Sequence, residues 1–169
     1  MRQTKHPIDP FFAGRFSPRA FGQSAIDPLD LEAILEAAST APSCFNDQPW
    51  RFVLAPPERI LPLLAEANAA WCAPLQTFVL LCATPRYARN DQPNAYSRFD
   101  CGTAWGYMTL EAHRRGIFLH AMAGFDAGAA RKSLELGDLD PVAIIAFGRA
   151  PEMAEFTPRK PLSDLVLRR

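Results

Sequence analysis

The sequence predicts an α+β fold, a central sheet wrapped by helices. Three observations predict it. Two continuous apolar runs, Phe78–Ala83 (FVLLCA) and Val142–Phe147 (VAIIAF), have the length and solid hydrophobicity of strands buried on both faces. Stripes at helical spacing, with capping residues, lie between them. Strand and helix patterns also alternate along the chain too often for an all-α or an all-β fold.

Residues 1–26 carry no clean periodicity and read as an irregular arm with a basic stretch from Arg15 to Arg19. A helix follows. Asp27 caps it, Pro28 fits its first turn, and Asp30 sets negative charge near its positive end. Leu31, Ile34, Leu35 and Ala38 form its buried stripe, and Pro42 ends it. Arg51–Ala55 reads as a strand, and residues 58–70 as a helix turning Ile60, Leu63, Leu64 and Ala67 inward. After the Phe78–Ala83 strand, Tyr87–Ser97 is polar and reads as a loop. Asp100–Arg115 reads as a long helix closed by Gly116, with Arg114 and Arg115 suiting its negative end. Gly102 and Gly106, one turn apart, predict close packing of this helix against a neighbour. A strand at Phe118–Met122, a helix from Asp126 to Leu136 and the Val142–Phe147 strand complete the core. The tail from Arg149 has no core-forming period until Ser163–Val166 (SDLV).

Bulk composition narrows the function classes. At 169 residues with 49% hydrophobic content the chain suits one packed domain over residues 1–169 and not a disordered polymer. Eighteen basic and eighteen acidic residues cancel, which leaves no footprint for nucleic acid or an anionic membrane. The N-terminus lacks the apolar core of a signal peptide, and no apolar run spans a bilayer. Four cysteines without CxxC spacing predict reduced thiols and a cytoplasmic protein. No GxGxxG, P-loop, HExxH or GxSxG motif is present, and the three histidines are dispersed, so no metal site is expected. His113 is expected at a surface or interface, and His120 in the core.

Three segments behave like neither core nor ordinary surface. In Arg15–Phe21 (RFSPRAF), an extended backbone turns Arg15, Ser17 and Arg19 one way and Phe16 the other. Two guanidiniums and a hydroxyl make a cradle for a phosphate or another polyanion. Ala41–Trp50 (APSCFNDQPW) follows the helix stop at Pro42 with Ser43, Asn46 and Gln48, polar groups fit to bind a ligand and equally common in turns. In Gly124–Asp126 a glycine permits close backbone approach to a flat ligand, ahead of an N-cap aspartate. Gly148–Arg149 and Arg159–Lys160–Pro161 add late cationic points.

RFSPRAF followed by AILEAASTAPSCFNDQPWRFVLA resembles the start of the FMN-dependent nitroreductase family, in its short-chain form. The similarity runs in register over residues 15–165, through Asn68, FVLLCAT, DCGTAWGYMTLEAHRRG, MAGFD, AIIAFG and PRKPLSDLV. The arm and the QPW turn are its specific parts. The resemblance implies a mixed central sheet wrapped by helices in an intertwined homodimer, with FMN at the subunit interface. It implies that Arg15, Ser17 and Arg159 hold the phosphate and that Arg19 lies by flavin N1 and the C2 carbonyl. It implies that Asn68 meets the pyrimidine edge and that the Ala123–Gly124 backbone approaches N5. Pro42, Ser43 and Asn46 would come from the partner subunit. Phe16, Trp71 and Thr157 stand where basic residues occur in other members, which implies a weaker hold on the phosphate. The short Pro85–Phe99 segment lacks the helices that roof the pocket in larger members.

The expected function is a ping-pong, two-electron transfer from NADH or NADPH, through FMN, to a nitroaromatic, quinone or similar small-molecule acceptor. The flavin supplies the chemistry, so no catalytic side chain is expected. A flavin-binding protein without NAD(P)H turnover is the alternative, and a flavin-free dimeric α+β module the third.

Overall fold

The computed structural model describes residues 2–22, 25–149 and 156–169. Within them the elements run α1 (Pro10–Gly14), α2 (Pro28–Ser39), β1 (Trp50–Leu54), α3 (Pro57–Ile60), α4 (Glu66–Cys72), β2 (Thr77–Ala83), α5 (Ser97–Arg114), β3 (Ile117–Met122), α6 (Ala127–Ser133), β4 (Asp140–Arg149) and α7 (Leu162–Leu165). The strands form one sheet in the order β1-β2-β4-β3. The α+β class holds. The sheet, expected to be mixed, is antiparallel at all three ladders. The reason lies in β2–α5–β3: β2 and β3 run parallel, but β4 slots between them and opposes both.

Helices cover both faces of the sheet. On one, α2 and α5 close over Val79, Leu81, Ile117, Leu119, Ile145 and Phe147, with Ile34, Ala38, Ala104 and Met108 fully buried. On the other, α3, α4 and α6 cover Phe78, Leu80, Cys82, Met122, Ile144 and Ala146. Each fully buried Leu, Ile or Phe contributes roughly 1.5–3 kcal/mol, so these two layers fix the register that β2 and β4 present. No described helix is long and apolar enough to cross a membrane.

Local signals account for most boundaries. Asp27 accepts from the Leu29 N–H at 2.8 Å, and Asp126 caps α6 by accepting from the Ala129 N–H at 2.9 Å. Gly116 ends α5 with φ +66°, a conformation glycine adopts without strain. Asp30 pairs with Arg115 (2.9 Å) and Arg149 (3.3 Å), tying the start of α2 to the end of α5.

Three expectations need correction. The arm is not wholly irregular: Asp9 caps α1, accepting from the Phe11 N–H at 2.8 Å, and Asp9–Pro10 repeats the Asp27–Pro28 signal. The helix expected over 58–70 is broken. Pro62 supplies no N–H, Leu64 is extended (ψ 147°), and the chain instead bridges Leu64 to Phe125 before α4 begins. The glycines of α5 meet no neighbour among the described residues of the chain: an added Cβ on Gly102 or Gly106 would meet no atom within 4 Å. Of the tail, residues 150–155 lie outside the described residues; Leu162–Leu165 is helical and exposed.

Candidate functional site

The arm runs as its alternation predicts. Phe16 is buried, tilted against Phe118 (4.7 Å between ring centres) and Phe156 (5.0 Å), while Ser17 and Arg19 are exposed and Arg15 half-buried. Arg15 Nη1 donates to Ser17 Oγ at 3.2 Å. Burial first, then the nearby Arg2 and Arg159 guanidiniums, draw the Arg15 pKa below its ordinary value. Among the described residues no carboxylate pairs with Arg2, Arg15, Arg19 or Arg159, whereas Arg86, Arg98, Arg114, Arg115, Arg131 and Arg149 all have one. Cations gathered without counter-ions among the described residues are able to hold an anion.

Beyond Arg15 the arm follows β3 toward α4. The Pro18 carbonyl meets His120 Nδ1 at 2.8 Å, His120 tilts against Trp71 (4.9 Å), and Phe21 stacks on Trp71 (5.9 Å). Burial, the largest influence on His120, holds its pKa below the ordinary value, and Arg19 acts in the same direction. One turn before Trp71, Asn68 donates from Nδ2 to the Gly124 carbonyl at 3.4 Å. The same carbonyl accepts the Ala65 N–H at 3.0 Å, and the Asp126 N–H donates to Leu63 at 2.8 Å. A Cβ on Gly124 would stand 3.3 Å from Asn68 Nδ2. The break in the 58–70 helix thus serves the site, because it lets the chain clasp the Ala123–Gly124 turn. Ala123 and Gly124 are both exposed. The Trp71 indole N–H is buried without a partner among the described residues.

The Pro42–Gln48 turn lies elsewhere. The Pro42 carbonyl accepts from Thr103 Oγ (2.9 Å) and the Cys44 N–H donates to Asp100 (3.1 Å), which pins the turn to the first turns of α5. Ser43 Oγ accepts the Gln48 N–H at 3.0 Å, and Phe45, Asn46 and Gln48 all have φ near +50° to +56°. Left-handed backbone costs a non-glycine residue roughly 1–2 kcal/mol, so three such residues in four mark a turn held against its own preference. Asp47 does much of the holding: its carboxylate accepts the Ala88 N–H (2.9 Å) and Asn94 Nδ2 (3.1 Å). Residues 85–96 accordingly fold as a tight loop over the turn, and Ser97–Phe99 already belong to α5; Tyr87 lies edge-on to Phe45 (5.8 Å) and Arg89 over the Phe45 ring at 3.7 Å.

The expected site residues therefore fall into two groups. Arg15, Ser17, Arg19, Asn68, Ala123, Gly124 and Arg159 line one path from the end of α5, along β3, to α4. Pro42, Ser43 and Asn46 sit at the start of α5. Gly14 abuts His113, an added Cβ there falling 3.1 Å from Nε2, and thirteen residues of α5 separate His113 from Asp100, about 20 Å at ~1.5 Å per residue. Along α5 the chain therefore holds the turn well away from the arm end of that path. Sequence reasoning missed Arg2, which no periodicity marks, and Asp47 and Asp100. Asp47 was visible as an acid inside the turn.

A sequence model of the nitroreductase family matches residues 12–77, the stretch from the arm to the start of β2. A solved structure described as an oxidoreductase containing FMN is 30% identical, with a TM-score of 0.91 over 98% of this chain and 93% of that one. The chain belongs to the nitroreductase family. An Archaeoglobus fulgidus member, provisionally named an NADH dehydrogenase/NAD(P)H nitroreductase, is 30% identical over 105 residues, 61% of this chain and 59% of its own length. A provisionally named nitroreductase from Exiguobacterium sibiricum, solved in complex with FMN, shares the fold at 18% identity, with a TM-score of 0.82 and full coverage of both chains. Within this family member, none of the four cysteines forms a disulfide; burial raises Cys82 to about 11 and Cys101 to about 12, so both stay as inert thiols.

Proposed function

We propose that residues 1–169 form an FMN-binding domain of a cytoplasmic, homodimeric oxidoreductase with its flavin sites between two copies. One observation carries the reading: the path from the uncompensated Arg15–Arg159 pair to the clasped Gly124 turn offers charge at one end and open backbone at the other. That donor set fits FMN, an anionic phosphate joined to a flat ring. Arg15, Ser17 and Arg159 bind the phosphate, and charge-assisted bonds there contribute roughly 1.5–3 kcal/mol each. Arg19 places positive charge by N1 and the C2 carbonyl, favouring the reduced ring. Asn68 reads the pyrimidine edge, and the Ala123–Gly124 backbone lies against N5. FMN held there would pass two electrons from NADH or NADPH to a nitroaromatic, quinone or similar acceptor in a ping-pong cycle. No side chain has to act as nucleophile or base.

Two observations support the second copy. Pro42, Ser43 and Asn46 stand about 20 Å along α5 from the arm that would hold the phosphate. The outer face of α5, with Phe99 71% and Tyr107 43% exposed beside Gly102 and Gly106, is shaped for close approach of another helix, and Leu162, Leu165 and Leu167 of the tail are more than half exposed. The four cysteines without disulfides support the cytoplasmic setting.

The short Pro85–Phe99 segment, only twelve residues of which precede α5, favours a second reading, a flavin-binding protein without NAD(P)H turnover. The absorbance spectrum with FMN, followed by anaerobic stopped-flow mixing with NADH and with NADPH, separates them. Bleaching of the flavin band with either donor is expected. Flavin binding without bleaching would leave the second reading, and a colourless protein that ignores FMN would defeat both.

A further inference from the structure

Arg2 belongs to the same cationic cluster. Its N–H donates to the Ala13 carbonyl at 3.2 Å, and its Nη1 donates to the Arg15 carbonyl. Its guanidinium lies over the Phe156 ring at 5.2 Å. The segment before α1 is thereby folded back onto the segment after it. The Arg2 Nε is buried with no hydrogen-bond partner among the described residues. Burial, and then Arg159, draw the Arg2 pKa below its ordinary value, so Arg2, Arg15 and Arg159 are mutually close enough to repel. Among the described residues this leaves a buried donor without an acceptor and three cations without an anion, both of them destabilising. One dianion resolves both, and a phosphate monoester carries nearly two charges and three acceptor oxygens at neutral pH.

We propose that Arg2 is a third ligand of the terminal phosphate, completing with Arg15 and Arg159 a three-guanidinium anion site. The assignment to FMN rests on the function proposed above. The anion site itself does not.

The test compares wild type with Arg2→Met and Arg2→Lys, titrating each with FMN and with riboflavin and recording the thermal midpoint with and without inorganic phosphate. Arg2→Met should weaken FMN at least about tenfold and leave riboflavin unchanged, and Arg2→Lys should recover most of the loss. Equal weakening of FMN and riboflavin would show Arg2 to be a structural tether and overturn the inference, as would unchanged FMN binding. Wild type that takes up neither flavin would defeat the proposed function. In that case stabilisation of wild type by phosphate, absent in Arg2→Met, sustains the anion site, and its absence from both ends it.

Discussion

The Asn68 amide donates to the Gly124 carbonyl across 3.4 Å, although the two residues lie on opposite sides of β2 in sequence. The contact exists because Leu64 leaves helical geometry to bridge Phe125, which brings α4 alongside the turn after β3. The Asn68 amide and the open Ala123–Gly124 backbone are thus set by one clasp.

Substituting Gly124→Ala places a Cβ 3.3 Å from Asn68 Nδ2, so the amide must shift. Losing one well-placed hydrogen bond is worth about 1 kcal/mol, roughly fivefold in Kd for FMN. Isothermal titration checks it. An Asn68→Ala, Gly124→Ala double variant no weaker than Asn68→Ala alone would confirm that the glycine acts through the amide.

At the other end of the path, Arg15→Ala with Arg159→Ala removes two of the guanidiniums. FMN retention should fall by at least about a hundredfold. The flavin-free protein should hold or raise its thermal midpoint, since mutually repelling cations are gone. An unchanged FMN titration would refute the phosphate assignment.

Asp47→Ala tests the strained turn. It leaves the Ala88 N–H and the buried Asn94 amide without their acceptor, at about 1–3 kcal/mol. Urea unfolding should show that loss, with proteolytic nicking appearing first between Tyr87 and Asn94. A change below about 0.5 kcal/mol would place the restraint elsewhere.

Acid stability depends on Glu111. Arg114, then Arg115, each donating at 2.7 Å, hold its carboxyl down from the ordinary 4.5 to about 2. A carboxylate depressed in the folded state contributes stability that is full above pH about 4.5 and lost as pH falls through about 2. Glu111→Gln should therefore be less stable than wild type at pH 7 and converge with it across that window. Parallel urea midpoints from pH 7 to pH 2 would show that the ion pairs contribute nothing.

The elements that were legible in the sequence are those with local causes. Asp27, Asp126 and Gly116 cap helices by chemistry confined to one turn, and Phe78–Ala83 is apolar because both sheet faces are covered. The alternation in RFSPRAF likewise set Phe16, which is buried, apart from Ser17 and Arg19, which are exposed, and from the half-buried Arg15. What was not legible depends on distant partners. Leu61–Ala65 has apolar residues at helical spacing, yet Pro62 and the pairing with Phe125 break it. The antiparallel ladders follow from where β4 inserts, which no local pattern encodes. Arg2 is a lone cation in an aperiodic arm, given meaning only by Ala13, Arg15 and Phe156.

The eighteen-residue α5 holds the turn and the arm about 20 Å apart. If each flavin draws on both, cofactor occupancy obeys mass action in the polypeptide as well as in the flavin. Dilution below the dimer dissociation constant would then release FMN with no change in its free concentration. The colour of the solution would report assembly.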